Sequence, residues 1–84
     1  MSAARRILGE SQYFEYRKIV YYEAHVILEN KKEFISLKDV SNFNKMTRLS
    51  DICDFLYLEK DMENFNKVNS LLKILQIKEK VFLN

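Results

Sequence analysis

Residues 13–27 read YFEYRKIVYYEAHVI, and this stretch decides the fold class. Its apolar side chains recur at intervals of three and four residues, which is the spacing of one face of an α-helix. The residues on that face are Tyr13, Tyr16, Val20, Ala24 and Ile27. A half-buried strand would need apolar and polar residues to alternate, and they do not. The stretch therefore predicts one long amphipathic helix over residues 4–30.

The β-branched residues of the same stretch leave one structural alternative. Ile19, Val20, Val26 and Ile27 favour extended backbone. A hairpin over residues 20–37 that turns at residues 30–32 would place Val20, Val26 and Ile27 in strands. The chain has no proline and its single glycine is residue 9, so the strongest helix breakers are missing from all that follows. This absence favours the helical interpretation.

Three further helices are predicted downstream. Ser36 followed by Asp39 fits a capping box and predicts a short helix over residues 37–43. A third helix is expected to begin near Thr47 or Ser50 and to end near Glu59, and a fourth to run over residues 61–80. The face of the third helix is formed by Leu49, Ile52, Cys53 and Leu56. The face of the fourth is formed by Phe65, Val68, Leu72 and Leu75, widened by Leu71 and Ile74.

These elements predict an all-α fold, a small three- to four-helix bundle with a long N-terminal helix. The 84 residues are expected to form a single helical domain. Whether the third and fourth helices form one kinked rod or a hairpin stays open, because Asp61 fits either a kink or a turn.

The residue counts weigh against several classes of function. One cysteine and one histidine cannot build a disulfide framework or a structural zinc site. Cys53 lies in an apolar stripe, which indicates a core residue, and His25 lies on the polar side of the first helix. A Gly-rich phosphate loop is excluded by the lone glycine. We therefore expect no enzymatic activity, no cofactor, no metal and no small-molecule substrate.

The charge and hydropathy patterns bear on location. The net charge is only +2, and no apolar run approaches the roughly 18 residues of a membrane span. The first residues contain no apolar run of signal-peptide length. An intracellular protein, cytoplasmic or nuclear, without membrane association is the expectation.

The aromatic content points to a protein partner. Six Phe and five Tyr are a large apolar load for a chain this short, and exposed apolar surface usually marks an interaction site. Ile19 and Val26 also fall on a different face from the main stripe. The leading hypothesis is a non-enzymatic interaction or assembly module, which self-associates as a homodimer or docks into a larger complex as a subunit. The predicted interface residues are Tyr13, Phe14, Ile19, Tyr21, Tyr22 and Val26.

The alternative hypothesis is a small nucleic-acid-binding regulator. A helix-turn-helix can be placed over residues 36–59, with the third helix entering the groove of the duplex. Its candidate phosphate contacts are Arg5, Arg6, Arg17, Lys18, Lys45 and Arg48. Asp51, Asp54 and Glu59 on the same helix would repel phosphate, which weighs against this alternative.

Overall fold

The computed structural model describes the backbone of residues 3–80 and the side chains of residues 9–80. The helices are α1 (Ala3–Glu29), α2 (Lys31–Ser36), α3 (Asn42–Leu58) and α4 (Met62–Glu79). No strand occurs within residues 3–80. The predicted all-α class and the long N-terminal helix are thus confirmed, and the hairpin alternative is wrong.

Gly9 interrupts the long helix. Its backbone has φ 78° and ψ 167°, which is not helical and which residues with a side chain rarely adopt. The regular part of α1 therefore begins at residue 10, which leaves about 30 Å of continuous helix.

The core is built from one face of each long helix, largely as the spacing predicts. All four residues of the predicted apolar face of α3 are buried. Most residues of the predicted apolar faces of α1 and α4 are buried too. The confirmed core residues of α1 and α4 are Tyr13, Val20, Ala24, Ile27, Val68, Leu71, Leu72 and Leu75. Phe65 is only partly buried, whereas Tyr16 and Ile74 are exposed, against the expectation.

A tight turn separates α3 from α4, so the two are an antiparallel pair and not one kinked rod. The Asp61 N–H donates to the Leu56 carbonyl and the Lys60 N–H to the Tyr57 carbonyl, each at 3.0 Å. Lys60 adopts the left-handed conformation, with φ 61°. These bonds form a Schellman motif. Asp61 then caps α4, because its carboxylate accepts from the Asn64 N–H at 3.2 Å.

The prediction of a short helix over residues 37–43 is wrong. Ser36 ends α2 instead of starting a helix, and residues 37–41 are irregular. The N-cap is Ser41, whose hydroxyl accepts from the Asn44 N–H at 3.1 Å, so α3 begins earlier than predicted. Because α3 begins after Ser41, it also contains Met46, which is buried almost one turn before Leu49, the first residue of the predicted apolar face. The range 36–59 consequently contains one long helix and not the two of a helix-turn-helix.

Lys45 fixes the irregular segment to α3. Lys45 is only 2% exposed to solvent. The ammonium donates to the carbonyls of Ile35 and Leu37, each at 2.7 Å, and to Asn42 Oδ1 at 3.3 Å. Carbonyls at the end of a helix lack partners within that helix. A buried cation from α3 supplies donors to those at the end of α2.

Candidate protein interaction surface

One side of α1 carries apolar residues that the core does not use. Ile19 is 58% exposed, Tyr22 is 72% exposed, and Val26 is also exposed. They are three and four residues apart and therefore lie on one line of the helix, on the side away from the core. We call these three residues the α1 stripe.

Contacts with α3 fix one flank of α1. The Glu23 carboxylate accepts two hydrogen bonds from the Arg48 guanidinium, which is the bidentate geometry favoured by this pair. The hydrogen bond to Glu23 raises the pKa of Arg48. Beside it, the rings of Tyr16 and Phe55 meet edge to face, with their centroids 5.3 Å apart.

Contacts with the α3–α4 turn fix the opposite flank. The Tyr21 hydroxyl donates to Asp61 Oδ2 at 2.9 Å. The Arg17 guanidinium lies 4.7 Å from the centre of the Tyr21 ring, and its Nε is 3.9 Å from Glu59 Oε1. The pKa of the Tyr21 phenol is raised, mainly because the group is partly buried and secondly because it donates a hydrogen bond to Asp61. These contacts hold α1 on both flanks, and the α1 stripe faces away from the core.

An apolar groove continues the stripe towards α2. Val26 belongs to both, and the groove has a volume of about 210 Å³. Its other lining residues are Ile27, Asn30, Glu33, Phe34 and Leu37. Leu37 reaches this position because the segment that contains it is held by Lys45. The sequence did not single out Phe34, and it placed Leu37 in a helix.

A second exposed apolar surface lies on α4. Ile77 is 67% exposed, and Ile74, one turn earlier, is exposed too. Lys73 and Lys78 lie next to them in the sequence and are exposed. Neither lysine pairs with a carboxylate within the described part of the chain. We call these four residues the α4 patch.

A third apolar surface lies at the turn between α3 and α4. It is lined by Tyr57, Leu58, Lys60 and Met62. The Tyr57 ring also contacts the Phe65 ring, with centroids 5.9 Å apart, so part of this surface is covered from within.

The six residues predicted for the interface do not form one surface. Ile19, Tyr22 and Val26 lie together, and Phe14 is exposed on another side of α1, next to Tyr13. Two of the predicted residues belong to the packing of the molecule instead. Tyr13 is buried in the core, and Tyr21 is half-buried in its contacts with Asp61 and Phe55.

The residues predicted for nucleic-acid contact are similarly dispersed. Lys45 is buried, and Arg48 is bound to Glu23. Arg17 lies next to Glu59, and Lys18 Nζ is 3.3 Å from Glu15 Oε1. The side chains of Arg5 and Arg6 lie outside the described residues. The four described members therefore do not form one continuous basic face of unpaired cations.

The groups with the greatest chemical reactivity are not brought together. Burial raises the pKa of the Cys53 thiol to about 11, so the thiol stays protonated at neutral pH. His25 is exposed on α1. Within the described residues no three of the His, Cys, Asp and Glu side chains converge as a metal site would require. No helix of the described residues is long and apolar enough to cross a membrane.

Compared with known protein families, with curated proteins and with solved structures, the chain matches none.

Proposed function

We propose that this chain is a non-enzymatic assembly module that self-associates through the α1 stripe and the groove beside it. One observation carries the proposal: a continuous apolar surface lies on the outward side of a helix whose inward side already fills the core. Contiguous exposed apolar surface of this kind is typical of interaction sites. The contacts on both flanks of α1 hold this surface ready before a partner arrives, which lowers the entropic cost of binding.

The size of the surface predicts the strength of the association. Full burial of a large apolar side chain contributes roughly 1.5–3 kcal/mol relative to exposure. Ile19, Tyr22 and Val26 are already partly covered, so each contributes less than this. Association costs roughly 4–15 kcal/mol of translational and rotational freedom. The expected contact is therefore weak and reversible, and the extent of assembly should rise with protein concentration.

The test compares two tyrosines of similar exposure. Tyr22→Ser removes the centre of the α1 stripe, and Tyr57→Ser is the matched control at the apolar surface near the α3–α4 turn. Sedimentation equilibrium over concentrations up to about 1 mM measures the association of each. We expect Tyr22→Ser to weaken association at least about ten-fold and Tyr57→Ser to leave it as in the wild type.

Two results would overturn the proposal. A wild-type chain that stays monomeric throughout the concentration range has no self-association to explain. Loss of association in Tyr57→Ser but not in Tyr22→Ser would place the contact at the α3–α4 turn. Circular dichroism of both variants checks that the monomer remains folded.

A further inference from the structure

We infer that the self-association is head-to-tail, with the α1 stripe of one copy packed on the α4 patch of the next. This inference rests on the proposed self-association and specifies which two surfaces meet. The charges that surround the two apolar surfaces differ in sign.

The surroundings of the α1 stripe are acidic. Glu15 lies one turn before Ile19, with Lys18 Nζ 3.3 Å from its Oε1, and Glu29 lies almost one turn after Val26, on the same side of α1. Residues 10–29 contain four glutamates and only two basic residues, which are Arg17 and Lys18, so their net charge is −2. Glu33 adds a further carboxylate to the adjoining groove, while Lys31 and Lys32 add two exposed cations on the same short helix.

These carboxylates disfavour a symmetric contact between two α1 stripes. If the two helices ran parallel about a two-fold axis, Glu15 would lie near Glu15 of the second copy. If they ran antiparallel, Glu15 would lie near Glu29. Both arrangements bring together two copies of a segment whose net charge is −2, and like charges across an interface oppose binding.

The surroundings of the α4 patch are basic. Residues 62–80 contain four lysines and two glutamates. Both glutamates are occupied within the chain, since Glu63 Oε1 is 3.5 Å from Lys67 Nζ and Glu79 accepts a hydrogen bond from Asn42. The lysines of the α4 patch are thus left without a carboxylate among the described residues.

The two surfaces are therefore complementary in both hydropathy and charge. Ile74 and Ile77 are three residues apart, as are Ile19 and Tyr22, so apolar side chains can interdigitate along two helices. The lysines beside them are about 7.5 Å apart along α4, whereas the glutamates at the two ends of the α1 stripe are about 21 Å apart, so the lysines approach one end of the stripe. Favourable charge across the contact also selects this pairing over stripe with stripe.

A head-to-tail contact has a structural consequence. Each added copy leaves one unused α1 stripe at one end of the assembly and one unused α4 patch at the other. Such contacts produce open chains or closed rings, whereas a symmetric contact stops at the dimer. The average mass should accordingly rise beyond that of a dimer as the concentration increases.

Two double variants test the inference by complementation. The stripe variant carries Ile19→Ser and Tyr22→Ser, and the patch variant carries Ile74→Ser and Ile77→Ser. All four residues are exposed, so both variants should keep the wild-type fold, which circular dichroism checks. We expect each variant to be monomeric alone. Their equimolar mixture should form a one-to-one dimer that grows no further, because each copy still carries one intact surface.

The possible outcomes separate the inference from the proposed function. A monomeric wild type overturns both. A patch variant that associates as the wild type does, or a mixture that stays monomeric, overturns the head-to-tail contact but leaves self-association standing. A further double variant, Lys73→Glu with Lys78→Glu, should weaken association at least about ten-fold. Lys38→Glu, at an exposed position in the irregular segment, should not.

Discussion

Replacing Lys45 with methionine tests the contact that sets the path of the chain between α2 and α3. Methionine is similar in length and is well suited to filling buried space. Its side chain has no donor, so the carbonyls of Ile35 and Leu37 lose the ammonium that each now contacts at 2.7 Å. A buried acceptor left without a donor costs about 1–3 kcal/mol, and because these bonds are only partly buried, each loss is expected in the lower half of that range.

The net effect is smaller than two full losses. Removing the buried ammonium also removes its desolvation penalty, which offsets part of the cost. We therefore expect the free energy of unfolding of Lys45→Met to fall by about 2 kcal/mol. A change of 1 kcal/mol shifts the melting temperature of a domain this small by roughly 4–8 °C, so Tm should fall by about 8–16 °C.

Thermal unfolding followed by circular dichroism at neutral pH measures this shift. Lys32→Met is the matched control, because Lys32 is exposed on α2. It should melt within about 4 °C of the wild type, since exposed substitutions usually change stability by less than about 0.5 kcal/mol. If Lys45→Met also melts within that margin, the reasoning about its buried donors is refuted.

Three further predictions concern the α3–α4 turn and the core. Asp61→Ala removes the cap of α4 and the acceptor of Tyr21, and should cost about 1–2 kcal/mol in chemical denaturation. Hydrogen bonds from Asn64 hold the pKa of Asp61 below its ordinary value. Its contribution is thus complete above the unfolded-state pKa near 4 and is lost as the pH falls through the folded-state value. The wild type should therefore lose more of its stability on acidification than Asp61→Ala, and equal losses would contradict this. Lys60→Gly relieves a left-handed backbone conformation and should raise the free energy of unfolding by about 0.5–1 kcal/mol, whereas a lower Tm would argue against strain at that turn. Cys53 should react with a thiol reagent far more slowly in the folded chain than in urea, because the thiol is buried and its pKa is raised to about 11; equal rates would show that it is accessible.

The helical faces could be predicted because they depend only on local spacing. The apolar faces through Val20, Leu49 and Leu72 have regular spacing, and no glycine or proline after Gly9 interrupts them. The bounds of the helices near residue 40 could not be predicted in the same way. Ser36 and Ser41 are equally good caps in isolation. Lys45 decides between them through bonds that a pattern of polar and apolar residues cannot show, since it classes lysine as exposed.

The exposed apolar surface of α1 was predictable only in part. The exposure of Ile19 and Val26 was foreseen, because they fall off the face that fills the core. The contact of the Tyr21 hydroxyl with Asp61 was not, because Asp61 is forty residues away in the chain. Ile74 was assigned to the core since it widens the face of α4, but α3 and α1 cover only part of that face.

Light scattering coupled to size-exclusion chromatography tests the central claim of self-association through α1 most directly. The wild type and the stripe variant are compared at about 50 and about 500 mM salt, over a range of loading concentrations. The account predicts that the wild-type mass exceeds that of the monomer and rises with concentration. The excess should be smaller at high salt but not lost, because the contact is both apolar and charged. The stripe variant should remain monomeric. A monomeric wild type, or a stripe variant that assembles like the wild type, would contradict the account.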